Sequence, residues 1–218
     1  MSADAPGTPP VPRPAATVIV ARPAGVADQP PEILLLRRHA GQGFMANVWV
    51  FPGGRVDEAD HPPEAGGPLD AHRAAAIREC AEEAGLALTG ELIACAHWVT
   101  PASEKKRFDT RFYLSVVAAG SVATPDATEV TEALWITAAD ALARHARVDL
   151  PLAPPTWLVL HAMAACPDLA ALEAWARAQA PEPVTPVLEL VAGKLRVRSP
   201  SATLVLVQGR WELEAPTP

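Results

Sequence analysis

The chain has 218 residues, half of them hydrophobic, and carries 25 Asp and Glu against 18 Lys and Arg for a formal net charge of −7. That length suits one generous domain or a domain with an extension. The acidic balance excludes a general binder of nucleic-acid polymers, which needs a basic surplus over the phosphates. No uncharged apolar run approaches the ~20 residues that cross a bilayer, so no membrane partner is expected. The three cysteines, Cys80, Cys95 and Cys166, are widely spaced and read as reduced thiols of a cytoplasmic protein.

In chain order, residues 1–15 are rich in proline and small residues and are expected to be disordered. They lack the basic-then-apolar order of a signal peptide. Residues 16–22 (ATVIVAR) predict a first strand, since β-branched side chains suit a pleated surface. Residues 23–31 form a turn, and residues 32–38 (EILLLRR) a second, central strand. A loop over 41–47 precedes the strand 48–51, which runs into the turn Pro52-Gly53-Gly54. Residues 57–67 read as a loop, and its Asp57, Glu58, Asp60 and His61 as part of a surface excursion.

A helix follows, opening at Pro68 or Asp70 and closing at Gly85, where a left-handed residue commonly ends a helix. At about 100° per residue, Glu79, Glu82 and Glu83 fall within roughly 100° of one another, with Ala74, Ile77, Ala81 and Ala84 opposite. Like charges at this spacing repel by roughly 0.2–0.5 kcal/mol per pair. Arg78 offsets part of this, and a hard divalent cation, which prefers oxygen ligands, would relieve the rest. Strands are expected over 91–99, 109–118 and up to Ile136, and a helix capped by Thr137 closes this unit near Ala146. Residues 147–218 then add an apolar helix from Pro154 to about Ala165, another over 169–178, and strands over 183–214 with turns at 192–194, 199–200 and 209. Trp157, Trp175 and Trp211 are placed to pack this extension onto the core.

The run Arg78-Glu79-Cys80-Ala81-Glu82-Glu83-Ala84-Gly85-Leu86, preceded by Gly53-Gly54, resembles the box of the Nudix hydrolases. That signature is a Gly, five residues, a Glu, seven residues, then Arg-Glu-apolar-x-Glu-Glu-x-Gly-apolar. The Glu eight residues before the arginine would be Asp70 here, which requires about ten extra residues after Gly54. The resemblance implies an α/β/α sandwich with a mixed sheet over residues 16–146, followed by a helical and β extension. It implies hydrolysis of a nucleoside diphosphate linked to another moiety, using Mg²⁺ or Mn²⁺ held by Glu79, Glu82, Glu83 and a backbone carbonyl such as that of Gly53. Arg78 would orient a glutamate. The general base would be Glu79 or an acid from the region of Glu129, with Glu132 the alternative. Candidate substrate contacts are Arg37, Arg38, Gly54, Trp98 and Arg107. The stretch 98–101 followed by 107–114 is similar to the branch that includes the peroxisomal coenzyme A diphosphatases, which puts coenzyme A or its acyl derivatives ahead of ADP-ribose, sugar nucleotides and nucleoside triphosphates. A non-catalytic nucleotide sensor is the other reading, and a homodimer is compatible with either.

Overall fold

The computed structural model describes residues 8–25, 29–41, 46–61 and 68–214, and the side chains of 68–70 are left out of the description. The expectations for residues 1–7, 26–28, 42–45, 62–67 and 215–218, and for the side chain of Asp70, lie outside the described residues.

The protein is a mixed α/β fold built on a seven-stranded sheet. Strand β1 spans Arg13–Arg22, β2 Glu32–Arg38, β3 Trp49–Val50, β4 Gly53–Arg55, β5 Ile93–Val99, β6 Phe108–Val116 and β7 Val130–Thr137. Helix α1 (Pro68–Ala84) covers one face, and α2 (Ala138–Ala146), α3 (Pro154–Met163) and α4 (Leu169–Ala178) lie on the other. Val18, Ile19, Val20 and Ala21 of β1 are all fully buried. Alternate side chains of a strand point to opposite faces, so Ala16, Val18 and Val20 join the core under α1 while Ile19 and Ala21 join the other. A run of buried β-branched residues is what a strand covered on both faces requires. Each fully buried aliphatic side chain contributes roughly 1.5–3 kcal/mol.

Two expectations are corrected here. Strand β1 starts at Arg13 rather than at residue 16, because residues 13–15 pair with β6 in parallel and Ala15 also pairs with Arg55. Strands β1 and β2 are neighbours, antiparallel over a short stretch. They meet only at Ala21–Ile33 and Arg22–Glu32, β1 pairing mainly with β6 and β2 with β7. The Gly53–Gly54 turn is itself a short strand, registered against Thr17 and Ala16 in the space that this splay opens.

The C-terminal residues form an antiparallel meander of β8 (Val187–Val191), β9 (Lys194–Arg198), β10 (Thr203–Val207) and β11 (Arg210–Leu213). Pro154 and Pro155 open α3, and Asp168 caps α4 by accepting the Ala171 amide at 2.8 Å. Trp157 lies within the core and Trp175 and Trp211 pack against it. The meander is tied to α2 through His145, buried between two backbone groups. Its Nδ1 lies 2.9 Å from the Leu150 carbonyl oxygen, and its Nε2 accepts the Trp211 amide at 2.7 Å. Accepting at one nitrogen and donating at the other requires the neutral ring. Burial lowers its proton affinity, opposed by the Leu150 contact, and the Arg210 charge lowers it further. A group with a depressed pKa that must stay neutral supplies its stability fully above its ordinary value of 6.5, and loses it as pH falls below that value. Amide protection in β10 and β11, taken relative to the intrinsic exchange rate at each pH, is therefore expected to fall between pH 7.5 and pH 5 in the wild type more than in a His145→Gln variant, as followed by mass spectrometry.

Candidate active site

Helix α1 presents to the sheet the face opposite to the one that Ala74, Ile77 and Ala81 suggest. Ala71, Ala75, Ala76, Cys80 and Ala84 are buried, and so is Glu83, at 6% exposure, whereas Ile77 is 38% exposed and Ala81 faces solvent. Alanines ring this helix, so apolar pattern alone does not fix its rotation. Close backbone approach does. A Cβ placed on Gly54 would stand 2.3 Å from a Glu79 carboxylate oxygen, which lets the helix seat its acids directly on β4. The buried face of α1 is thus its carboxylate face.

Glu83 accepts a hydrogen bond from the Gly53 amide at 2.9 Å and, among the described residues, from no other group. Burial pushes its carboxyl up to about 8. The Gly53 amide opposes the rise, the charges of Glu79 and Glu129 add to it, and that of Arg38 lowers it. Glu79 is likewise raised by burial, against the pull of Arg78, with the charges of Glu82 and Glu129 adding to the rise. Glu82 stands at the rim, its side chain 59% exposed. Three carboxylates on adjacent turns, two of them driven from water, form a hard-oxygen donor set suited to Mg²⁺ or Mn²⁺. Among the described residues no three acidic, histidine or cysteine side chains converge as a ready-made cage. Arg78 Nη1 instead bridges Glu79 and Glu82, at 2.9 Å from each.

Arg78 is held in turn by Asp60. Its Nε and Nη2 donate to the two Asp60 oxygens at 3.0 and 2.9 Å, and Nη2 also donates to the Arg55 carbonyl oxygen at 2.9 Å. Burial works against the Asp60 charge, yet the Arg78 guanidinium outweighs it and keeps this carboxyl below its usual range. A two-pronged pair of this kind fixes direction as well as charge. Asp60 lies in a 3-10 turn (Glu58–Asp60), and its Oδ2 accepts the Asp57 amide at 2.8 Å. The surface excursion expected for this residue is therefore corrected, since Asp60 is buried. Five residues separate it from Gly54, as in the family signature, so the extra residues fall between this acid and Arg78. Its spacing from Gly54 is regular in the sequence, whereas the count back from Arg78 points to Asp70. Asp60→Ala is expected to lower kcat by on the order of tenfold or more, the usual cost of losing a partner that orients a ligand. Asp60→Asn, which retains one acceptor for Arg78, is expected to lose less. Steady-state kinetics on both variants checks this.

The loop before β7 closes the far side of the cluster. The amides of Thr124 and Asp126 donate to the carbonyls of Ala84 (2.8 Å) and Glu83 (3.3 Å), satisfying groups left open at the end of α1. The Asp126 carboxylate accepts the amides of Thr128, Glu129 and Val130 at 3.0–3.2 Å. Ala127 takes a positive φ of 64°. This clamp sets Glu129 close enough for its charge to act on Glu79 and Glu83. Sequence reasoning missed Asp126, whose turn chemistry (an acid before a polar run) was the available signal.

Of the other candidates, Arg38 acts on Glu83 through its charge. Arg37 pairs with Glu132 at 2.6 Å. Trp98 packs against the core on the α2–α4 side. Arg107 donates to the carbonyls of Thr100 (3.0 Å) and Pro10 (2.8 Å), tying the N-terminal arm to the β5–β6 turn.

Residues 11–154 match the model of the NUDIX domain. A Caenorhabditis elegans protein described as "Putative nudix hydrolase 7" is 29% identical over 48% of this chain and 46% of its own length, so the chain spans about half of that relative. The crystal structure of a NUDIX hydrolase from Alicyclobacillus acidocaldarius superimposes with a TM-score of 0.66 at 28% identity, covering 75% of this chain and 96% of that one. The NUDIX domain of Shewanella oneidensis NrtR, solved with ADP ribose, shares the fold at a TM-score of 0.53 and 16% identity over 70% of this chain and 86% of its own.

Proposed function

The chain belongs to the NUDIX family, and from that membership we propose that it hydrolyses the pyrophosphate bond of a nucleoside diphosphate linked to another moiety, with Mg²⁺ or Mn²⁺. The observation that carries this reading is the inward-facing pair of acids on α1, in which Glu83 is buried against the Gly53 amide with no cation bonded to it among the described residues. An unpaired buried carboxylate is costly unless a ligand supplies the missing charge. Glu79, Glu82 and Glu83 would hold the metal, which when bound neutralises charge on the phosphoryl oxygens and lowers the pKa of an attacking water. Arg78 aims Glu79, and Asp60 aims Arg78. The charge of Glu129, on the Asp126-clamped loop, acts on Glu79 and Glu83, and in this reading it or Glu79 would take the proton of the attacking water.

Coenzyme A and acyl-coenzyme A are the preferred substrates of this reading, on the likeness of residues 98–101 and 107–114 to that branch. The test is a panel of coenzyme A, acetyl-coenzyme A, ADP-ribose, NADH, a sugar nucleotide and nucleoside triphosphates with each metal, products identified by mass spectrometry. Adenosine 3′,5′-bisphosphate and a phosphopantetheine are the expected products. Cleavage confined to another member would replace the substrate and keep the chemistry. Metal-dependent cleavage of none of them would favour a nucleotide sensor.

A further inference from the structure

Across the sheet from Gly54 lies an arginine to which neither the family signature nor the site described above assigns a task. Gly54 pairs with Ala16, Ala16 with Arg111, and Arg111 with His97, forming one row over β4, β1, β6 and β5. Directly paired residues share a face. Ala16 belongs to the core under α1, so Arg111 emerges on the face where Glu79 meets Gly54. Two strand spacings of about 4.8 Å separate their backbones, a gap that an extended arginine side chain largely bridges.

Eight other arginines hold carboxylates of described residues within salt-bridge distance. Arg111 is half-buried yet, among the described residues, makes no hydrogen bond, ion pair or ring contact. The acid two residues before it on the same face, Asp109, is occupied by Nε2 of His97, a side chain buried to 5% exposure. The acid best placed to neutralise Arg111 is therefore engaged elsewhere. A sheltered guanidinium kept free beside a carboxylate cluster is suited to a ligand anion, and its planar fork matches phosphate oxygens.

We propose that Arg111 binds the phosphate of the nucleoside diphosphate that lies away from the α1 carboxylates, with the His97–Asp109 pair keeping it available. The inference rests on the hydrolase reading, because it takes the substrate to straddle the acid row and β6. It is tested on the full chain by titrating ADP in the presence of Mn²⁺, following heat or tryptophan fluorescence, for wild type, Arg111→Gln and Arg111→Lys. The expected result is an ADP Kd raised about tenfold or more in Arg111→Gln, a smaller rise in Arg111→Lys, which keeps the charge and loses the fork, and thermal midpoints close to wild type. On a substrate that the wild type cleaves, KM rises with kcat within about threefold, the pattern of lost binding common to ground and transition states. A Kd within twofold of wild type in Arg111→Gln would overturn the proposal. Weakened ADP binding by that variant would uphold it even if the wild type cleaved no member of the panel, a result that would instead remove the hydrolase reading.

Discussion

Glu83→Gln is expected to raise the thermal midpoint of the metal-free protein at pH 8–9 while reducing metal-dependent hydrolysis at least about 100-fold, as for a lost metal ligand. The carboxyl's pKa is raised from 4.5 to about 8 in the folded chain, chiefly by burial. A group with a raised folded pKa contributes stability that is fully present below its unfolded value and lost as pH rises through the folded one. Above pH 8 the metal-free wild type therefore holds a charged, poorly solvated carboxylate, at a cost on the order of a few kcal/mol. Glutamine keeps an oxygen for the Gly53 amide and carries no charge, so it removes this penalty. For a chain of this size about 1 kcal/mol moves the midpoint by roughly 2–4 °C, and the gain should vanish near pH 4.5, where both side chains are neutral. Scanning calorimetry of both proteins with a chelator at several pH values reads the difference. A midpoint for the variant at or below wild type at pH 9 would mean that Glu83 carries no such burden.

The two glycines of β4 should fail in opposite ways when replaced by alanine. At Gly53 the added methyl would meet the Ala16 carbonyl oxygen at 2.3 Å and the Thr17 Cα at 2.7 Å, with φ at +154°. Backbone on a central strand cannot step aside, so Gly53→Ala is expected to cost several kcal/mol, as overpacking and strain together do. At Gly54 the methyl would meet the Glu79 carboxylate, 2.3 Å from Oε1. That is the end of a flexible side chain, which rotates away at little cost to the fold but leaves its place in the site. Gly54→Ala is therefore expected to keep its denaturation midpoint within about 1 kcal/mol of wild type and to lose on the order of 100-fold in kcat, the scale of a misplaced catalytic group. Urea titration and steady-state kinetics on the pair distinguish these effects. Comparable loss of stability in both variants would contradict the assigned role of Gly54.

Much of this fold is legible in the sequence because local chemistry and tertiary placement agree. The glutamate run, its terminal Gly85 at φ +64°, the doubly buried strand β2 and the proline- and aspartate-opened helices α3 and α4 all announce themselves through period, cap or turn. The rotation of α1 does not. Alanine occurs on every side of that helix, so a wheel that sets acids against alanines assigns the wrong face to solvent. What fixes the rotation is the lack of a side chain on Gly54, against which Glu79 sits, a tertiary effect. Asp60 was obscured because the additional residues interrupt the spacing to Arg78, although its distance from Gly54 was regular. The anchoring of the C-terminal meander was equally hidden, since the contact between His145 and the Trp211 amide spans 66 residues and neither residue carries a local signature of it.

Direct Mn²⁺ binding tests, without reference to any substrate, whether the acid row of α1 receives a divalent cation. Free Mn²⁺ would be followed by its electron paramagnetic resonance signal on titration into the full chain, with Glu83→Gln and Glu79→Gln beside the wild type at pH 8. Saturable binding by the wild type is expected, weakened at least tenfold in each variant, with a wild-type thermal midpoint that rises with Mn²⁺ as binding to the folded state alone requires. Equal Mn²⁺ retention by all three proteins, or none by the wild type, would contradict it.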